Sequence, residues 1–148
     1  MEYNDSNLKD EIIKNSKLKT CINKYDELLE TYGSELNNIK NNINEALFNE
    51  YLITIKSRIN KQTSIVRIVQ KDNRNSYFIP IFTDEFEYIK GIETFEFEEE
   101  IIDEPYITTI HEFIDIAKND PNLKGLIVNP HNQDFAIDMD SVLEYDEK

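Results

Sequence analysis

Nucleophilic catalysis needs a serine or cysteine beside a histidine that a carboxylate orients. This chain supplies one cysteine, Cys21, and two histidines, His111 and His131. Cys21 precedes Ile22 on an expected core-facing helix, far in sequence from either histidine, so it reads as a small buried thiol. His111 falls third in an expected capped helix and reads as a surface group. His131 follows Pro130 in a turn, is expected to be the more accessible of the two, and is the histidine placed to touch a ligand. No catalytic residue is assigned, and the chain is read as a protein other than an enzyme.

Metal and phosphate chemistry find as little. Asp134, Asp138 and Asp140 lie close together, but Asp138 and Asp140 straddle an expected strand-to-helix junction where capping accounts for them. Asp120-Pro-Asn-Leu-Lys-Gly125 begins like a calcium-binding loop, then places Lys124 where a ligand belongs and lacks the closing glutamate. One cysteine and two histidines exclude a closed zinc site. Three glycines in the whole chain leave no phosphate-cradling loop. The Glu98–Glu104 cluster is the remaining place for a loosely held divalent ion; no metal and no cofactor is assigned.

Charge is the more informative property. The net charge is −14 over 148 residues. Residues 1–50 carry ten acidic and six basic groups, residues 51–82 one acidic and six basic, and residues 83–148 nineteen acidic and four basic. Such a field repels nucleic acid and anionic lipid and favours basic partners. Lys56, Arg58, Lys61, Arg67, Lys71 and Arg74 fall on one expected sheet region, where pairing with the acidic segment is the expected use. Residues 84–104 hold ten carboxylates and one lysine, Lys90, interleaved with Phe95, Phe97, Ile101, Ile102 and, just beyond, Tyr106. Apolar anchors inside an acidic rim suit a basic protein partner. The expected contact residues are Glu96, Glu98, Glu99, Glu100, Asp103 and Glu104.

These groups have to be positioned by a scaffold whose pattern changes near residue 50. Leu18, Ile22, Tyr25, Leu29, Tyr32, Leu36, Ile39, Ile43 and Ala46 recur in 4-3 spacing, the rhythm of a buried helical seam. Gly33-Ser34 interrupts it, so residues 18–48 form either one bent helix or a hairpin, and the preserved register favours near-continuity. A shorter helix over Asn7 to Asn15 can precede it. From Tyr51 the chain reads as strands: Tyr51–Lys56, then a hairpin over 64–82, with Pro80 at an edge, bulge or unbonded position. Thr83-Asp84 caps a helix with Phe86, Ile89 and Ile92 on its apolar side. Tyr106–Thr108 reads as a short strand, and Thr109–Glu112 as a capping box opening a helix over Ile110, Phe113, Ile114 and Ala117. Leu126–Val128 reads as a buried strand, Asn129–Gln133 as a turn with Asn129 extended before Pro130, and Phe135–Ile137 as the returning strand. Asp140 is expected to cap a last helix that places Val142 and Leu143 on the core.

Two of these stretches, Ile79-Pro-Ile-Phe-Thr-Asp84 with its following helix and Lys124-Gly-Leu-Ile-Val-Asn-Pro130 with its preceding and following ones, resemble the N-terminal domain of the SseB (enhanced serine sensitivity) family. The similarity spans roughly residues 45–145. It implies a mixed α/β domain and no agreed activity, hence no catalytic residues.

The expected fold is α+β: a mostly antiparallel sheet of about five strands with packed helices, preceded by an N-terminal helical arm. Residues 1–50 form the arm, which buries its seam on the domain or on a second copy as a homodimer; residues 51–148 form the SseB-like domain. The expected function is non-enzymatic capture of a basic protein through the acidic surface, in the manner of an immunity protein. The alternative is a small-molecule or amino-acid-linked regulatory domain with its site at Asn129, His131 and Asn132. The polar N-terminus lacks a signal-peptide pattern and no apolar run reaches ~18 residues, so a cytoplasmic location is expected.

Overall fold

The computed structural model describes residues 16–28, 33–70, 72, 75–97, 100–102 and 104–148, with backbone alone for 28 and 33–37. Helices α1 (Lys17–Leu28) and α2 (Gly33–Asn49) come first, followed by strands β1 (Leu52–Thr54), β2 (Lys56–Ile59), β3 (Gln62–Ile65), β4 (Ile68–Val69) and β5 (Tyr77–Ile81). Then come α3 (Glu85–Thr94), β6 (Glu100–Ile101), β7 (Tyr106–Thr108), α4 (Ile110–Asn119), β8 (Leu123–Val128), β9 (Phe135–Asp138) and α5 (Met139–Asp146). The class is α+β.

The helical arm is a hairpin, against the expectation of near-continuity. Ser16 Oγ donates to Glu50 Oε1 at 2.9 Å, and the Leu18 amide donates to Glu50 Oε2 at 3.0 Å. A continuous helix would hold residues 16 and 50 ~50 Å apart at 1.5 Å per residue. Ser16 Oγ also accepts from the Lys19 amide at 3.1 Å, so α1 is capped both by its own serine and by a carboxylate from the foot of α2. The register survives the break because both helices turn their stripe to one core. Leu18, Ile22, Ile39, Ile43, Ala46 and Leu47 are buried in the same cluster as Ile79, Ile81, Phe113 and Leu126. The expected Asn7–Asn15 helix lies outside the described residues.

Among the described residues the strands form three sheets, in the orders β1-β7, β3-β2-β6 and β4-β5-β8-β9, and not one five-stranded sheet. Pairing is antiparallel throughout except at the centre of the largest, where β5 and β8 run parallel with Ile79 opposite Leu126 and Ile81 opposite Val128. Those strands are mainly apolar and largely buried, with Lys124 exposed, the state in which parallel pairing is stable. Reciprocal backbone bonds between Ile53 and Phe82, at 3.0 and 2.7 Å, join β1 to the chain just beyond β5. Pro80 lies past the end of the two-residue β4, where its missing N–H is not required, and its carbonyl accepts from Thr54 Oγ1 at 2.7 Å. The expected 64–82 hairpin survives as β4–β5, while β3 pairs instead with β2 through Asn60 and Lys61, both at positive φ (51° and 69°).

Three local expectations are corrected. Phe86 and Ile89 are 62% and 45% exposed, and α3 buries Glu87, Tyr88 and Gly91 instead. Asp84 Oδ1 accepts from the Glu87 amide at 2.9 Å, which fixes the phase of the helix, and Gly91 lets it approach the Phe82 ring more closely than any Cβ would permit. The Thr109 side chain makes no capping bond; the Glu112 carboxylate accepts from Tyr106 OH at 2.7 Å and Thr108 Oγ1 at 2.6 Å, tying α4 to β7. Asp140 lies in the first turn of α5, whose N-cap is Asp138; Val142 is buried and Leu143 packs at the core edge.

Two carboxyl groups report on this packing. Burial holds Glu50 above the ordinary glutamate range, against the hydrogen bonds from Ser16 and Leu18 that favour its charge. Its contribution to stability is therefore greatest below the ordinary glutamate pKa and falls as pH rises through the raised value. Glu50→Ala is expected to lose about 1–2 kcal/mol at pH 7 in urea denaturation, and more near pH ~4. At the other end of the domain Tyr77 OH donates to Asp120 Oδ2 at 2.7 Å; burial first, then this bond, pushes the tyrosine up to about 12. Asp120 is lowered by the same bond and by the Asn122 amide, so its contribution is present above the ordinary aspartate pKa and lost as pH falls through the lowered one. In an NMR titration, Tyr77→Phe should return Asp120 toward the usual aspartate range.

Candidate functional site

β5 and β8 end side by side, and the turns leaving them are stapled together. Asn129 Oδ1 accepts from the Thr83 amide at 3.0 Å, while Asn129 Nδ2 donates to Thr83 Oγ1 at 3.0 Å and Gln133 Oε1 at 2.8 Å. The Asn129 amide donates to the Ile81 carbonyl at 2.8 Å, and its own carbonyl accepts from the amides of Asn132 and Asp134, both at 2.9 Å. Asn129 is 0% exposed and sits at φ 48°, not in the extended conformation expected before Pro130. Asparagine tolerates the left-handed region, and this set of bonds outweighs the preference imposed by the proline.

That staple brings the 131–133 turn over α3 and α1. His131 Nε2 stands 2.8 Å from Glu87 Oε2, and Asn132 Nδ2 donates to Glu87 Oε1 at 2.8 Å. Gln133 Nε2 donates to the Lys19 carbonyl at 2.9 Å and to Asn23 Oδ1 at 2.7 Å. Lys19 Nζ completes the group, 3.1 Å from both Asp84 Oδ2 and Glu87 Oε1. Glu87 thus lies at 0% side-chain exposure among an ammonium, an imidazole and an amide. The His131 Nε2 contact is short but is not an aligned hydrogen bond, so Glu87 Oε2 lacks one; His131 Nδ1, the other ring nitrogen, is also buried without a hydrogen-bond partner among the described residues. At 9% side-chain exposure His131 is the less accessible histidine, the reverse of expectation, and His111 is the exposed one. The turn folds inward because Glu87 draws it there. Burial opposes the Lys19 ammonium, yet its hydrogen bonds to Asp84 and Glu87 prevail and hold it above the ordinary lysine range.

Glu87 did not stand out in the sequence. Asp84-x-x-Glu87 matches a capping box, in which the glutamate would reach back to the helix start; here it turns into the protein. Cys21 is half-buried, with its thiol raised first by burial, and packs against the main core cluster. No group of three or more His, Cys, Asp or Glu among the described residues is arranged to hold a metal ion.

The outer face of α3 continues from this cluster. Phe86 and Ile89 stand one turn apart, beside exposed Glu85, Lys90 and Glu93, with Lys19 Nζ 5.6 Å and Lys90 Nζ 5.9 Å from the Phe86 ring centroid. Glu96, Glu100 and Glu104 are exposed, and Glu100 lies opposite Arg58 across the β6–β2 pair. Phe95 and Phe97 are half-buried and meet edge-on at 6.2 Å; Ile101, Ile102 and Tyr106 are likewise half-buried. Glu98, Glu99 and Asp103 lie outside the described residues.

The chain matches no protein-family model, no curated protein and no solved structure. No helix among the described residues is long and apolar enough to cross a membrane.

The buried cluster has a measurable consequence. Removing its one ammonium leaves Glu87 without a full counter-charge in a water-poor site. Lys19→Met is expected to cost about 2–3 kcal/mol in chemical denaturation. Adding Glu87→Gln should cost less than the sum of the two single changes, because the pair acts as a unit.

Proposed function

We propose that the chain is a non-enzymatic, SseB-like interaction domain that captures a basic protein partner, in the manner of an immunity protein. The observation that carries this reading is the outer face of α3. Two large apolar side chains, 62% and 45% exposed, stand one turn apart on a strongly acidic segment. A single exposed apolar residue is ordinary, but an adjacent pair within a charged rim has the composition of a recognition patch. Carboxylates at Glu85, Glu93, Glu96, Glu100 and Glu104 steer a cationic partner, and Phe86 and Ile89 supply the apolar contact that slows its release. The apolar anchors move from Phe95 and Phe97, which are half-buried, to the helix.

The SseB likeness rests on two motifs of the sequence and gains no support from the fold. Its two motifs, Ile79–Asp84 and Lys124–Pro130, run parallel as neighbours and are joined at their ends by the Thr83–Asn129 bonds. A small-ligand site at Asn129, His131 and Asn132 gains none, since Asn129 spends its polar atoms within the protein and His131 faces Glu87.

The test is capture of a basic protein at low salt by the wild-type chain, by Phe86→Ala/Ile89→Ala, and by Glu96→Lys/Glu100→Lys/Glu104→Lys. The same protein should be held by wild type, shed at high salt, and lost from both variants. Melting temperatures of the variants should stay close to wild type, because exposed substitutions change stability by only ~0.5 kcal/mol. Retention by both variants would reject the reading.

A further inference from the structure

The inner end of the same face is a built cation site. Two carboxylates and an aromatic ring, all on or capping α3, surround one ammonium that α1 supplies: Lys19 Nζ lies 3.1 Å from Asp84 Oδ2, 3.1 Å from Glu87 Oε1 and 5.6 Å from the Phe86 centroid. An ammonium between paired carboxylates and over a π face is held by charge, hydrogen bonds and the ring quadrupole together. A second observation shows that Lys19 does not exhaust the site. Glu87 is wholly buried, and its Oε2, to which Lys19 makes no bond, faces His131 Nε2 at 2.8 Å without an aligned hydrogen bond. The two ends of Lys19 also differ. Its neighbours Leu18 and Ile22 are 0% exposed and anchor α1, whereas its own side chain keeps 30% exposure and a path to water.

We propose that Asp84, Glu87 and Phe86 form a receptor for a primary ammonium group, filled in cis by Lys19, and that a lysine side chain of the basic partner takes this place on binding. The partner half of this inference rests on the function proposed above. Its logic is charge compensation in a buried site: Lys19 swings into solvent at least cost when another cation takes its place beside the buried Glu87. A neutral or anionic ligand does not make the exchange; among cations, a primary ammonium matches the position that the Lys19 ammonium holds between Asp84 Oδ2 and Glu87 Oε1. The tether gives Lys19 a high effective concentration and lowers the apparent affinity of any incoming lysine. Lys19 therefore acts as a built-in competitor that only a partner with further contacts, on Phe86 and Ile89, displaces.

The first experiment needs no partner. Lys19→Ala removes ammonium and stem together, and methylammonium chloride at ~100 mM, against sodium chloride of equal ionic strength, is expected to raise its melting temperature by ~2–4 °C. Wild type, with the site filled, and Lys19→Met, with the stem still in the way, should show no such difference. An equal response of Lys19→Ala to the two salts, or its failure to fold in both, would overturn the receptor.

The second uses hexalysine as the probe and needs only folded chains. Asp84→Asn keeps the helix cap but weakens the site, and should lower hexalysine affinity several-fold more than Glu144→Gln, which removes the same charge from exposed α5. Equal losses would overturn the exchange. Methylammonium rescue without capture of any basic protein would uphold the receptor and reject the interaction domain; capture without rescue would do the reverse.

Discussion

A carboxylate that never meets water imposes the strictest condition on this molecule. Glu87 sits at 0% exposure, and an ionised group in that position is tolerable only if cationic and hydrogen-bonding groups are delivered to it. Two separate parts of the chain make the delivery: α1 brings Lys19 and the turn after β8 brings His131 and Asn132, while Asp84 at the start of α3 shares the Lys19 ammonium and fixes the phase of the helix. The condition thus works as a specification of assembly. The helical hairpin, the capped helix and the β8–β9 turn satisfy it together or not at all.

The staple at Asn129 makes that assembly geometrically possible. Parallel β5 and β8 end in register, and Asn129 bonds to the Thr83 amide and hydroxyl, so the two exits from the sheet are held side by side. Thr83 leads directly into the Asp84 cap, and Asn129 leads directly into His131 and Asn132. One short hydrogen-bonded contact therefore sets both the start of α3 and the direction of the turn that faces it. Gln133 extends the link to the Lys19 carbonyl and Asn23, seating α1 on the same junction. Burying Glu87 on the inner side of α3 turns Phe86 and Ile89 outward, so the interior electrostatics and the exposed apolar pair are two sides of one helical phase.

Much of the local structure was legible. The β-branched runs at 52–54 and 77–81, the apolar stripe of Ile110, Phe113 and Ile114, and the Asp84 cap each announce themselves within a few residues. The misreadings share a cause. The β2–β3 hairpin turns through Asn60-Lys61, and a lysine at φ 69° is not the glycine that signals such a turn. The preserved 4-3 spacing across residues 29–34 fits one long helix as well as two that face a common core, and the contacts of Ser16 and Leu18 with Glu50 separate these. Phe86 and Ile89 obey helical amphipathicity, but on the solvent side, because a charged residue outranked them for the interior.

By itself the sequence determined the class of fold, the identity of most elements, the single cysteine and the uneven distribution of charge. These follow from composition and from patterns a few residues wide, where chirality, capping and the hydrophobic effect act locally. Tertiary structure alone decided that the described strands divide among separate sheets, that β5 and β8 run parallel, that His131 points inward, and that Lys19, Asp84 and Glu87 form one group across 68 residues of chain. The reason is physical: the free energy of a buried charge depends on what surrounds it in space, and no run of neighbouring residues states which distant cation will arrive.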